Sequence, residues 1–497
     1  MEIHPGLRRA YAEVPQVSSG GAAGGRHDVA AGILPAVEGG ILPPGPAPES
    51  SKARATQGAI PPGKMPGSRA GSMPAAMARG AVLACDVLVI GGGAAGVAAA
   101  TAAGRVGAKV VLLERYGFLG GLATAGQVGT VCGLYLRDSV NAQPTLVAGG
   151  FVREFALRLQ QAGGREPLRL EAGLWFLPFP AGAFARVADA FVSESGNVTS
   201  VLHATVAEAQ AEGPRLVEVC ALAWNERLVV RAGVVVDCSG EATAAALAGA
   251  GVEDGAADQV PALVFCLEDV DPALAGRGLL EVRRELRRAV EQGRLPPACE
   301  RLSVVPGTGG DGRLALKLNL LPAESGRASW QQVTEWERES RALVDDLHRF
   351  LVDNTASCRK ARLCSVAPQL GIRSGRRIRG RATLTDKDVL GMRKTPLGIA
   401  RGCWPMERWA SSLRPEMIYF EERGYYEIPL DCLRPVELDN VLVAGRCFSA
   451  EAGAMTSARV IGTALATGWA AGTAAAFQAM GRSMDEAVDA IQKQMKQ

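Results

Sequence analysis

The sequence predicts an α/β fold: a parallel sheet with packed helices, interrupted by an inserted α+β domain and preceded by a disordered tail. Three observations predict it. Short apolar strand patterns at 85–90 (CDVLVI), 108–113 (AKVVLL), 233–237 (GVVVD) and 440–443 (NVLV) alternate with Ala-rich helical patterns, the signature of a parallel sheet. The region 256–430 lacks such strand–glycine turns. It holds instead a long amphipathic pattern over 326–352, where Val333, Trp336, Leu343, Leu347 and Leu351 recur at helical spacing. Residues 1–80 contain 14 Gly and 11 Pro but one aromatic, Tyr11, too little apolar surface to offset the entropy of ordering.

A chain of 497 residues is long enough for two or three domains of roughly 100–200 residues each. The expected order is a low-complexity tail over 1–80, then a first part of the nucleotide-binding domain over 81–140. A connection to the cap follows over 141–178, a second part over 179–255 and a substrate cap over 256–430. A third part spans 431–482, and a C-terminal tail 483–497. Internal methionines at Met65, Met73 and Met77 offer later starts.

Composition excludes several functions. Lys+Arg 54 against Asp+Glu 51 leaves net +3, without the basic excess of a nucleic-acid binder. Aromatics at 5% leave few stacking platforms for single strands. Four His, and 11 Cys with no C-x-x-C, argue against a metal site or a dithiol module and for a reducing, cytoplasmic compartment. The stretches 87–104 and 460–480 are uncharged and long enough to cross a bilayer. Their Ala, Gly and Thr content reads instead as packed helix, so no membrane span is expected.

The strongest motif is GGGAAG at 91–96, directly after the first strand pattern and opening a helix. It satisfies G-x-G-x-x-G in a Rossmann-like setting. Gly91 permits the tight turn, Gly93 lets a pyrophosphate approach the backbone, and Gly96 lets helix and strand pack closely. Ala94 and Ala95 begin the helix, whose free N–H groups favour phosphate. Glu114 ends the second strand 23 residues beyond Gly91, placed to accept hydrogen bonds from an adenosine ribose. After Arg115 comes a glycine-rich loop, 115–126, where a plain NAD domain would continue with another βαβ unit.

With these features the chain resembles the FAD-dependent oxidoreductase family of the glutathione-reductase-like flavin fold. The likeness is to its generic bacterial branch, distantly akin to fumarate reductase flavoproteins. Four segments carry it: the fingerprint with Glu114; Gly120-Gly121-Leu122-Ala123-Thr124-Ala125-Gly126; Asp237-Cys238-Ser239-Gly240-Glu241; and Leu442-Val443-Ala444-Gly445-Arg446-Cys447, followed by Ser457-Ala458-Arg459. The resemblance implies FAD, bound non-covalently, with Gly120, Gly121, Ala123, Thr124, Gly240, Gly445, Arg446, Ser457 and Arg459 near it. It departs at two places. Ala452 and Gly453 stand where the family often has His-Glu, and 371–378 (GIRSGRRI) lacks the family's acid. Catalytic residues are therefore not inherited. Cys132 and Cys447 are considered as a redox pair or flavin attachment points, with packing as the simpler role.

The basic run from Arg359 to Arg381 has two readings ahead of nucleic-acid contact, which the near-neutral net charge of +3 ranks third. One is a solvated face. The other is a clamp for an anionic substrate, with Arg373, Arg376 and Arg377 joined by Arg401. Arg377, Arg379 and Arg381 alternate as one face of a strand would require. Trp330 and Trp336 read as packing residues. The resulting expectation is a dehydrogenase or oxidase passing hydride between a small, anionic substrate and flavin N5. The electron acceptor and oligomeric state stay open. A flavin monooxygenase and a non-redox flavoprotein stand beside it as alternatives.

Deleting residues 1–77 should leave flavin content and melting temperature nearly unchanged, because a Gly/Pro-rich segment contributes little buried area. Differential scanning fluorimetry of the two chains checks this. Loss of soluble protein on deletion would show that the segment is structural.

Overall fold

The computed structural model describes residues 80–497 apart from 256–258, 276, 311, 321–327 and 409–414. The tail expected over 1–80 thus lies outside the described residues except for Gly80. The central sheet is built from strands β1 (Ala81–Ile90), β2 (Val110–Leu113), β3 (Val198–Val201), β4 (Ala204–Glu212), β5 (Arg215–Ala223) and β6 (Glu226–Asp237). Their order is β3-β2-β1-β6-β5-β4. Pairing is parallel from β3 to β6, and β4, β5 and β6 form an antiparallel meander at the other edge.

Val87–Ile90 and all of β2 are buried, as continuous apolar runs in a sheet covered on both faces should be. Helix α1 (Ala94–Val106) crosses from β1 to β2 and is buried from Ala95 to Gly104. The strand and the helix extend four and two residues beyond the bounds read from sequence. Edge-to-edge pairing with β6 draws in Ala81–Ala84, whose side chains carry no core pattern.

A second, smaller sheet forms the cap. Its strands are β7 (Ala262–Glu268), β8 (Leu302–Val304), β9 (Leu314–Asn319) and β10 (Arg362–Val366), in antiparallel order β8-β9-β7-β10. Helices α2 (Arg277–Glu291) and α3 (Trp330–Asn354) join it in one core with Leu263, Phe265, Leu286, Leu316, Leu347 and Leu351. Ser329 caps α3 by accepting from the Gln332 amide at 3.2 Å. Trp336 packs on this core, but Trp330 at the helix start is exposed, against the packing role expected of it.

The packing divides the chain differently from the expected bounds. The buried residues of the cap core all fall within 263–370, whereas Leu384, Ile399, Met406, Tyr426 and Ile428 join the core of the nucleotide-binding domain. The segment expected as a connection, 141–178, contributes a helix, Gly150–Gly163, with Phe151, Phe155 and Leu159 in that same core. The expected C-terminal tail is a helix too, Met484–Met495, started by a Ser483–Glu486 capping box and buried through Val488 and Ile491.

The last strand, β11 (Val441–Val443), pairs in parallel with the C-terminal half of β6. Helices α4 (Ala452–Ala458) and α5 (Ile461–Ala479) follow. Gly462–Phe477 of α5 is buried against α1. A Cβ at Gly468 or Gly472 would lie 2.1 Å from the carbonyl oxygen of Ala95 or Ala99. This small-residue contact accounts for the uncharged composition of both stretches. No single helix among the described residues is long and apolar enough to cross a membrane.

Gly468→Ala and Gly472→Ala should each destabilise by about 1–3 kcal/mol through overpacking, lowering the apparent melting temperature by several degrees. Gly182→Ala is the control, since its Cβ would meet nothing closer than the Arg186 guanidinium at 3.6 Å. Thermal unfolding by circular dichroism decides the matter, and three equal melting temperatures would contradict the packing argument.

Candidate functional site

Where β1 ends, the chain must turn within van der Waals reach of β6. Gly91 takes φ +92°, and a Cβ there would lie 2.6 Å from the Cys238 carbonyl oxygen. At Gly96 an added Cβ would lie 1.7 Å from the Gly91 oxygen, so only glycine lets α1 start this close to the turn. Gly93 differs: an added Cβ would meet nothing nearer than the Gly121 Cα at 3.9 Å. Its α-carbon faces open space above the N-terminus of α1.

Glu114 is buried at the end of β2, where its carboxylate accepts from the Gly92 and Tyr116 amides. Burial raises its pKa, and those two hydrogen bonds oppose the rise. The loop after Arg115 folds back as its glycines suggested. The Gly120 amide donates to the Gly92 carbonyl at 2.8 Å, and Gly120 and Gly121 both take positive φ. At the end of β6 the Asp237 carboxylate accepts from Ser239, Ala244 and Ala245 amides. Arg446, after β11, donates from Nε to the Gly240 carbonyl at 2.9 Å and pairs with Glu241 at 3.0 Å. The ends of β6 and β11 are thereby tied together.

These pieces wall one cleft that opens to solvent. Gly91, Gly93, Ala94, Glu114, Arg115, Gly120, Gly121, Ala123, Gly240, Gly445, Arg446 and Arg459 line it, with Ile461 and Ala464 of α5 at the far end. Four expected residues stand behind the wall. Ala95 and Gly96 are packing positions of α1, and the Thr124 hydroxyl donates to the Gly121 carbonyl. Ser457 is fully buried, hydrogen-bonded to the Tyr426 hydroxyl and the Trp404 carbonyl, and so cannot reach a ligand. The cleft fits FAD: an acid at the ribose end, a glycine surface above a helix N-terminus for the pyrophosphate, and the start of α5 at the other end.

The four-arginine clamp does not assemble. Arg401 pairs with Glu427 at 3.5 Å, donates to the Val147 carbonyl and lies over the Tyr425 ring. Arg377 is buried beside Glu253 and the Asp254 carbonyl. Arg376 meets Glu241 through its backbone amide. The strand expected to align Arg377, Arg379 and Arg381 has only two residues, Arg377–Ile378, and Arg379 and Arg381 pair with Glu437 and Asp439.

Of the four, Arg373 alone lies beside Arg459, which lines the cleft as expected, and residues that sequence reading passed over join the two. Arg459 donates to Glu407 at 2.9 Å and to Gln259 at 3.0 Å. Glu407 also accepts from the Trp404 indole at 3.1 Å. Arg373 donates to the Asn319 side chain at 2.9 Å. Lys317, two residues before Asn319 on β9, faces the same group.

Burial lowers the Arg373 pKa to about 10, helped by Arg459, and holds Lys317 down to about 8, helped by Arg373. Burial would raise the Glu407 carboxyl, but Arg459 and Arg373 outweigh it and keep it below the usual carboxylate range. One signal for Lys317 was present: LALKLN places a single cation amid an alternating leucine strand, on the face away from the cap core.

Cys132 and Cys447 do not form the considered pair. Cys447 is buried beside Cys238, while Cys132 faces Glu407 and Lys317. Among the described residues no three His, Cys, Asp or Glu side chains converge as a metal site needs.

Solved structures similar to this chain include a geranylgeranyl bacteriochlorophyll reductase-like protein from Thermoplasma acidophilum, at 13% identity over 83% of each chain with TM-score 0.40. The flavin-dependent brominase Bmp2 matches at 15% identity over 83% of each chain, with TM-score 0.43. The OxyS anhydrotetracycline hydroxylase from Streptomyces rimosus matches at 12% over 82% of this chain and 65% of that one, with TM-score 0.42. No curated protein matches the sequence. The model of the FAD dependent oxidoreductase family, however, matches residues 86–496, from within β1 almost to the C-terminus, and the chain belongs to that family of FAD-dependent enzymes.

Proposed function

We propose that this enzyme passes a hydride between a small anionic organic substrate and non-covalently held FAD. The observation that carries the reading is the group of Arg373, Arg459 and Lys317 around the single acid Glu407, at the α5 end of the cleft. FAD, when bound, supplies two-electron acceptance. The protein supplies the rest. Glu114, the α1 N-terminus and the loop at Gly120–Gly121 hold the dinucleotide. The cap sheet covers the far end and limits water there. Arg373 and Arg459 offer guanidinium donors to a carboxylate, in surroundings where charge-assisted bonds are strong. Glu407 and Gln259 fix the Arg459 guanidinium, so the donors are pre-positioned before a ligand arrives.

The purified protein should be yellow and should release FAD to the supernatant on acid or heat precipitation. A yellow pellet would contradict non-covalent binding, and a colourless protein that binds NAD would contradict the cofactor assignment.

Arg373→Met should lower kcat/KM by about tenfold to a hundredfold, the effect of losing one charge-assisted bond of roughly 1.5–3 kcal/mol. Its flavin content should be retained. Arg401→Met should instead lower the melting temperature with little change in kcat/KM. The substrate for these measurements comes from anaerobic flavin bleaching against a metabolite panel. Equal kinetics in wild type and Arg373→Met would remove the anion from the proposal, and no bleaching by any metabolite would remove the hydride transfer.

A further inference from the structure

Lys317 occupies an unusual place for a lysine. It stands on β9, inside the cap sheet, with Leu316 and Leu318 on either side buried in the cap core. Alternation turns Lys317 to the other face, toward the flavin-binding domain. It is surrounded by protein yet keeps part of its surface accessible. Its ammonium group forms no hydrogen bond or ion pair with any described residue, although its carbonyl accepts from the Ser303 hydroxyl.

The charged and titratable groups facing Lys317 come from four separate segments. Glu407 lies on the strand Met406–Arg408, and Arg459 follows α4 and lines the cleft. Arg373 lies in the loop after β10. Cys132 follows the strand Thr130–Val131, and its carbonyl accepts from the Gly462 amide at the start of α5. This last contact sets the charged group beside the start of α5, which lines the cleft.

We propose that Lys317 is the catalytic proton acceptor of this enzyme and that its substrate is a hydroxycarboxylate. The inference rests on the hydride-transfer reading above. Oxidation of an alcohol breaks two bonds to hydrogen. The O–H proton passes to the Lys317 amine. The C–H hydrogen leaves with its electron pair as hydride, FAD being the two-electron oxidant, and a C=O bond forms. Lys317 afterwards returns its proton to solvent. Arg373 and Arg459 hold the carboxylate. An ammonium group on the substrate would meet two arginine cations and one already paired acid, which disfavours amino acids.

The neighbours leave Lys317 as the group suited to proton transfer. Arg373, with its pKa near 10, is a cation throughout the physiological range, and Arg459 and Arg373 hold Glu407 ionised. Burial, then Glu407, pushes the Cys132 thiol up to about 12. Lys317, brought down to about 8, changes charge closest to neutrality.

Two measurements on the FAD-loaded protein test this. The first reads no activity. Trace labelling with acetic anhydride across pH, followed by peptide mass spectrometry, should titrate Lys317 near pH 8, and nearer the ordinary 10.5 in Arg373→Met. A midpoint at or above 10 in wild type overturns the proposal. So does a Lys317 that stays unlabelled at every pH, because a base closed to small reagents is closed to substrate.

The second follows anaerobic flavin reduction by glycolate, lactate, malate and 2-hydroxyglutarate, with alanine and glutamate beside them. Because the amine must be unprotonated, the rate should climb tenfold per pH unit and level off above about 8. Lys317→Met and Lys317→Arg should both slow reduction about 10²- to 10⁴-fold and abolish that climb, with flavin content unchanged. Unchanged rates in Lys317→Met overturn the assignment. Bleaching by metabolites lacking a hydroxyl, and by none of these four, overturns it while leaving hydride transfer standing. Bleaching by nothing removes both.

Discussion

The closeness of α1 to its surroundings sets the geometry of everything else. Three contacts fix it, and none tolerates a Cβ: Gly96 on the Gly91 carbonyl, Gly468 on Ala95 and Gly472 on Ala99. The first brings the helix N-terminus up to the turn after β1, where its free amides define the middle of the cleft. The other two lay α5 along α1, which places Ile461 at the cleft's far end. A bulkier residue at any of these positions would push a helix aside and widen the cleft at a point that must hold a ligand's phosphate or ring. The high glycine and alanine content is thus the condition for two helix starts to serve one binding site.

The cap contributes the other half of the site through strand alternation. Leucines 314, 316 and 318 bury themselves in the cap core, so the alternate positions 315, 317 and 319 take the sheet's other face. Two of those, Lys317 and Asn319, carry polar groups. Asn319 spans the two sides: its amide donates to the Arg301 carbonyl within the cap, while its oxygen accepts from Arg373. The orientation of Arg373 is therefore coupled to the fold of the cap sheet itself.

Much of this was legible in the sequence, for a physical reason. Backbone-determined features leave local marks: a glycine where φ is positive or a carbonyl sits close, an acid at a strand end, an unbroken apolar run in a buried strand. Gly91, Gly96, Gly120 and Glu114 were readable on that basis. Side-chain convergence leaves no such mark. Arg377 and Arg401 look in sequence much like Arg373, yet their partners, Glu253 and Glu427, lie 124 and 26 residues away and become neighbours only on folding. Glu407 was passed over because its role depends on Arg459, 52 residues on. The bounds of the cap were misplaced for a similar reason. Strand Gly398–Gly402 pairs with Tyr426–Pro429 and packs on α5, a contact no local pattern announces.

The charges at the end of the cleft are hard to account for as structure. Removing three cations and one carboxylate from bulk water is expensive, and a lone ion pair in the interior seldom repays it. Arg459 and Glu407 are well satisfied by each other, by Gln259 and by Trp404. Lys317 is not in that set, and its neighbour Arg373 makes its charge costlier still. A methionine at 317 would fill similar space without that penalty, so stability alone would not favour the lysine. An anion entering between Lys317 and the two arginines reverses the balance, because it lowers the repulsion among all three at once. The arrangement is most economically read as one that is completed by its substrate: destabilised while empty of anion, and stabilised in proportion to how tightly the anion is held.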